Sequence, residues 1–255
     1  MFAKYKIGIG AIKSLLGDSK NHGLLLESQN YINNRTSQLL EKSDGIIDGA
    51  ALKDGYFPTS FKKKYRIFIS HSHRDVETIE RFADYLKFHH HVDCFVDSMV
   101  WKNIDTLQHK IDQKFSKSTS GGLDYKKILQ TTAHVHSLLS IALFEMIDQC
   151  ECCIFVESGN SLQIDFAQPQ TLSPWIYEEL YYMNHTEERT PQYILDARYK
   201  VLQTKMMANE ALNFMMLHPV DLTGFTQFNN DWLCTSHMGD DFMKLIYLLS
   251  CKISK

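Results

Sequence analysis

From Tyr65 onward, apolar positions along the chain switch between a strand-like and a helix-like period. The run Tyr65-Arg66-Ile67-Phe68-Ile69-Ser70 is short and densely apolar, which predicts a strand, and the polar turn His71-Ser72-His73-Arg74-Asp75 closes it. Over 75–88, Ile79, Phe82, Ala83 and Leu86 fall on one helical face, and Val92-Asp93-Cys94-Phe95-Val96-Asp97 then reads as a second strand. Strand, helix and strand in this order make a βαβ unit, the building block of a parallel sheet. Helices are predicted over 104–115 and 125–149, with the polar loop Ser116-Lys117-Ser118-Thr119-Ser120-Gly121-Gly122 between them. The continuous apolar run Cys152-Cys153-Ile154-Phe155-Val156 predicts a third strand buried on both faces. Residues 157–172 form a long loop that leads into a helix starting at Ser173. Beyond it, 195–211 reads as helical, 214–217 as strand-like and 240–251 as helical.

Residues 1–60 carry a weaker pattern. Gly8-Ile9-Gly10 has the opening of a phosphate loop, but Lys13 stands at the third glycine position and no strand–turn–helix unit with an acidic partner follows. Between 28 and 43, Tyr31, Ile32, Leu39 and Leu40 suit a helix. Asp44-Gly45 and Asp48-Gly49 punctuate its end, and Tyr56-Phe57-Pro58 reads as an extended lead into the first strand. Such scattered apolar residues do not close a core by themselves. The expected organisation is therefore a partly helical N-terminal extension over 1–60, packed on a main domain over 61–255 or on another subunit. The main domain carries an extended segment at 104–133.

Composition narrows the classes of function. The chain has 255 residues, 44% of them hydrophobic and 22% charged, enough for one well-buried core with an appendage. A formal net charge of -3 provides no general basic field, so nucleic acid is not an expected partner. Lys4, Lys6 and Lys13 interrupt the N-terminal apolar residues, which argues against a signal peptide or a membrane span. Cys94, Cys150, Cys152, Cys153, Cys234 and Cys251 fall within apolar runs rather than at disulfide or zinc spacings, as buried thiols of a reducing cytoplasm do. No metal is expected: His134 and His136 stand two apart on a helix and point to different faces.

Candidate chemistry concentrates in Ser173-Pro174-Trp175-Ile176-Tyr177-Glu178-Glu179-Leu180. Ser173 suits the helix cap and Pro174 the first helical position. Trp175 and Glu179 stand four apart and share a face, which offers a flat indole and a carboxylate to a ligand with a ring and a sugar. The competing reading is an amphipathic helix that buries Trp175, Ile176 and Leu180 and leaves Glu178 and Glu179 in water. In an open parallel sheet ligands collect at the carboxyl ends of the strands. The turn 70–75, the loop Ser98-Met99-Val100-Trp101-Lys102-Asn103 and the Trp175/Glu179 face all belong at that edge.

Four stretches, in order, resemble the boxes of Toll/interleukin-1 receptor (TIR) domains: 65–75, 92–97, 152–158 and Ser-Pro-Trp-x-x-x-Glu-Leu at 173–180. The resemblance covers about residues 61–255, while the 104–133 segment and the N-terminal region depart from a minimal TIR domain. It implies a flavodoxin-like open parallel sheet of about five strands with helices on both faces. It also implies one of two functions. Many bacterial, plant and some animal TIR domains cleave NAD+ at the nicotinamide–ribose bond, and others only assemble signalling complexes through self-association. In the enzymatic branch the glutamate four after the tryptophan is catalytic, which is Glu179 and not Glu178. Trp175, Ser72, His73, Arg74 and Trp101 are then expected to contact the substrate, with Arg74 as the anion partner. NAD+ would be a substrate, and no cofactor is required. Products would be ADP-ribose or a cyclic or conjugated ADP-ribose signal read by a downstream effector, in the manner of bacterial antiphage defence. A nucleotide sensor without turnover shares the sheet but has no need of Glu179.

Overall fold

The chain is described by a computed structural model over residues 3–17, 49–56, 65–96, 98, 104–163, 168–195 and 218–253. Its centre is a sheet of five parallel strands in the order β3-β2-β4-β1-β7, where β1 is Ala3–Gly8, β2 Ile67–Ser70, β3 Cys94–Val96, β4 Cys152–Glu157 and β7 Thr226–Gln227. A separate antiparallel pair joins β5 (Gln170–Thr171) to β6 (His218–Pro219). Register is fixed by side-chain alternation. Ile67, Ile69, Cys152, Ile154, Val156, Tyr5 and Ile7 point to one face, and Phe68, Cys153 and Phe155 to the other.

Each face is covered by helices, as a parallel sheet requires. Helices α1 (Ile9–Leu16), α3 (Val76–His90) and α8 (Gly239–Ile253) pack on the first face through Ile12, Leu16, Ile79, Phe82, Leu86, Phe242, Met243 and Ile246. Helices α2 (Gly49–Tyr56), α4 (Ile104–Phe115), α5 (Tyr125–Gln149) and α6 (Pro174–His185) cover the second, with Leu107, Ile111, Leu139, Leu143, Ile176 and Leu180 in its core. The short helix α7 (Gln192–Leu195) follows α6 and buries Ile194 against the first face. This is the α/β, flavodoxin-like arrangement that the periodicity and the resemblance imply.

The N-terminal assignment needs correction. Residues 3–8 are not part of an extension: they form an interior strand, paired in parallel with β4 on one side and β7 on the other. The strand escapes notice because Lys4 and Lys6 interrupt its apolar residues. Yet Ala3, Tyr5 and Ile7 alternate with them in strict period two, which is a strand pattern. The lysines find partners on the second face: Lys4 Nζ donates to Asn184 Oδ1 at 3.1 Å, and Lys6 Nζ to Glu157 Oε1 at 3.2 Å. Gly8, in extended conformation, is the junction at which strand passes directly into α1. Gly49 and Tyr56 also differ from expectation, since they open and close α2. The loop 116–122 is a closed turn in which Ser118 N–H donates to the Gly122 carbonyl at 2.7 Å. The helix expected over 28–43, the lead at 57–58 and the elements expected over 196–211 and 214–217 lie outside the described residues.

Candidate active site

The chain leaves β2 for β3 on one side and returns to β4 on the other, so the carboxyl ends of β2 and β4 flank a topological switch point. Ser70 is the last residue of β2 and, by alternation, faces the same side as Phe68, where α6 lies. Helix α6 starts as its sequence dictates. Ser173 accepts a hydrogen bond from the Ile176 N–H at 3.3 Å, with Pro174 at the first position. Its buried positions are Ile176, Glu179, Leu180 and Met183, the spacing of an amphipathic stripe. A carboxylate therefore occupies a place where the pattern calls for an apolar residue.

Glu179 is 0% exposed, and the Ser70 hydroxyl, itself 0% exposed, donates to its Oε2 at 2.6 Å. Glu178 behaves differently: it is half-buried and accepts from the Tyr182 hydroxyl at 2.8 Å. The reading that leaves both glutamates in water fails for Glu179. His71, next to Ser70, is buried as well. Desolvation lowers its pKa to about 4, against the pull of the Glu179 carboxylate, so its imidazole is neutral at pH 7. Across the sheet face, burial pushes the Cys153 thiol far up, and that group is neutral too.

The turn after β2 is tied to the loop after β4. Asp75, nearly buried, accepts from Ser158 Oγ at 2.5 Å and from Asn160 Nδ2 at 2.8 Å. Ser72 caps the turn His73–Asp75 by accepting from the Arg74 N–H at 3.4 Å, while the side chains of His73 and Arg74 are exposed at the same edge. Trp175 is half-buried and stacks on His136 of α5, ring centroids 4.9 Å apart and planes 24° apart. One face of the indole expected to receive a substrate ring is thus already covered. Trp101 lies outside the described residues.

Of the expected site residues, Glu179 lies beside the strand end, Ser72 to Arg74 border it, and Trp175 stands one helical turn away on a histidine. Ser70, His71, Asp75 and Ser158 complete the arrangement and were not singled out from the sequence. The legible signal for Ser70 is a hydroxyl at an inward strand position, matched by a carboxylate in an apolar helix stripe. Among the described residues no group of three or more His, Cys, Asp or Glu is placed to hold a metal ion, and no helix is long and apolar enough to cross a membrane. Comparison with protein-family models, with curated proteins and with solved structures finds no match to this chain.

Proposed function

We propose that this chain is a TIR-like enzyme that breaks the nicotinamide–ribose bond of NAD+, with Glu179 as its catalytic carboxylate. The observation that carries this reading is the placement of Glu179, fully buried in the apolar stripe of α6 and hydrogen-bonded to the last residue of β2 at the switch point. Burying an ionised carboxylate costs several kcal/mol, and an apolar side chain would pack there without that cost. The four sequence boxes, in order on a sheet of the matching class, support the same reading.

The chemistry suits one carboxylate. When the C1′–N bond breaks, its electron pair stays on the nicotinamide nitrogen, so the pyridinium leaves as a neutral ring and no proton donor is required. Positive charge develops on the ribose as an oxocarbenium ion, and a carboxylate beside it lowers the barrier; such electrostatic stabilisation is worth about 10²–10³ in rate. Water then adds at C1′ and loses a proton to give ADP-ribose, or another nucleophile adds to give a cyclic or conjugated product. Because solvent does not reach Glu179 in this structure, the ribose must displace the side chains that cover it. Exposed Arg74 is a ready partner for the pyrophosphate. In this reading the protein works in the cytoplasm, self-associates through the same domain, and signals to an effector in antiphage defence.

The test is nicotinamide release from NAD+ by wild type, Glu179→Gln and Glu178→Gln, with circular dichroism as the folding control. Glu179→Gln is expected to lose about 10²–10³ in rate, and Glu178→Gln far less. Equal rates for wild type and Glu179→Gln would remove the enzymatic reading and leave a TIR scaffold in its place.

A further inference from the structure

We propose that Ser70 is the positioning residue of this site: its hydroxyl holds the Glu179 carboxylate in one orientation and sustains its negative charge. The inference rests on the proposed role of Glu179 and deepens it. Two residues break the local pattern in mutually complementary ways. Ser70 stands where β2 should present a further apolar side chain to α6, after Phe68. Glu179 stands in the buried stripe of α6, between Ile176 and Met183. Placed facing one another, they satisfy each other, with Oγ to Oε2 at 2.6 Å. That separation is in the range of charge-assisted O–H···O⁻ bonds.

The donor is well fixed. Ser70 ends a strand paired on both sides, with Ile69 opposite Val96 and Ser70 opposite Phe155, and Phe68 and Ile69 beside it are fully buried. A hydroxyl on such backbone loses little further freedom when it bonds. Among the described residues, the ionisable groups that feel Glu179 include His71 on the turn after β2 and the Cys153 thiol on β4, both neutral at pH 7. Neither of them supplies a positive charge, whereas the Ser70 hydroxyl gives the carboxylate a short hydrogen bond away from solvent. A hydrogen bond donated to a carboxylate favours its ionised form, so its loss raises the pH at which the group gains a proton. Catalysis needs the anion facing a developing cation, so the same loss appears in the pH dependence of turnover.

The experiment compares wild type, Ser70→Ala and Ser70→Thr as full chains, each checked by thermal unfolding. In nicotinamide release, Ser70→Ala is expected to lower kcat about tenfold at pH 7 with KM within about twofold, and to move the acid limb up by about one unit. Ser70→Thr keeps the hydroxyl and the wild-type limb. A second readout needs no turnover: the carboxyl ¹³C titration of Glu179 in glutamate-labelled protein, identified by its absence in Glu179→Gln. Its midpoint rises by about one unit or more in Ser70→Ala and stays in place in Ser70→Thr. An unmoved midpoint in Ser70→Ala, or a raised one in Ser70→Thr, overturns the assignment. If wild type releases no nicotinamide, the proposed function falls while the titration still decides the role of Ser70.

Discussion

The two ends of strand β2 hold buried charge in opposite ways. At its amino end, Arg66 grips Glu151 with two bonds, Nε to Oε1 at 3.1 Å and Nη2 to Oε2 at 2.9 Å, and reaches Asp240 at 2.8 Å. The Tyr193 hydroxyl joins both partners, bonding to Glu151 and lying 2.9 Å from Arg66, whose guanidinium also sits 5.3 Å from the centre of the tyrosine ring. Burial works most strongly against the charge of Arg66, but the bond to Glu151 together with the charges of Glu151, Tyr193 and Asp240 outweighs it and its pKa is raised. At the carboxyl end, the Glu179 carboxylate meets a hydroxyl and stands beside a neutral histidine. The first arrangement cancels charge and fastens α7 and α8 to the sheet. The second sets a carboxylate against a neutral hydroxyl, which is what the proposed role opposite a developing cation would require. One four-residue strand thus separates a charge-paired end from the end where the proposed chemistry would take place.

The largest effect expected from this contrast is at the amino end. Arg66→Ala leaves Glu151, 6% exposed at its side chain, as a buried carboxylate without its guanidinium, and should cost about 3–5 kcal/mol in the denaturant-unfolding free energy. Nicotinamide release per folded molecule should stay close to wild type. A cost under about 1 kcal/mol would mean that the cluster behaves as a surface pair, and the contrast between the two ends would collapse.

How far the sequence reveals this contrast depends on the element. Helices over 104–115 and 125–149 appear with the bounds read from their periodicity, because long amphipathic helices carry many repeats of one signal. β4 is legible from an unbroken apolar run, since both its faces are covered. β1 is hidden by Lys4 and Lys6, whose partners Asn184 and Glu157 lie far away along the chain. At the site, Glu179 is chosen over Glu178 by the resemblance to the TIR box, in which the glutamate stands four after the tryptophan, and the buried stripe 176, 179, 180, 183 is readable from a helical wheel. The stacking of His136 on Trp175 is not, since it depends on how α5 packs against α6. Ser70 passes as an ordinary strand end until α6 places a carboxylate opposite it.

A second test sharpens the contrast through pH. His71 has a native pKa of about 4 against an ordinary value of 6.5, so the unfolded chain binds more protons between those values. The stability that follows from keeping His71 neutral is complete above about pH 6.5 and is lost as pH falls toward 4, for a total of about 3 kcal/mol. His71→Gln should flatten this part of the stability profile relative to wild type, measured as urea midpoints at matched pH. Parallel profiles for the two chains would show that the ring takes up its proton without resistance, and that the carboxyl end is more open to water than its burial indicates.

The smallest expected effect returns to the amino end and asks what the tyrosine adds. Tyr193→Phe removes the hydroxyl that bonds to Glu151 but keeps the ring, which lies under Arg66 at 5.3 Å and 6.0 Å from the Lys244 ammonium. The two Arg66 bonds to Glu151 remain, so no charge is stranded. The loss is then that of the hydroxyl's two hydrogen bonds, to Glu151 and from Arg66, in a pair already compensated, about 1–2 kcal/mol. Urea unfolding of Tyr193→Phe beside Arg66→Ala measures it directly. A loss as large as that of Arg66→Ala would mean that the hydroxyl, rather than the guanidinium, holds Glu151 in place. No loss at all would mean that Arg66 satisfies Glu151 by itself and that α7 is held by the burial of Ile194.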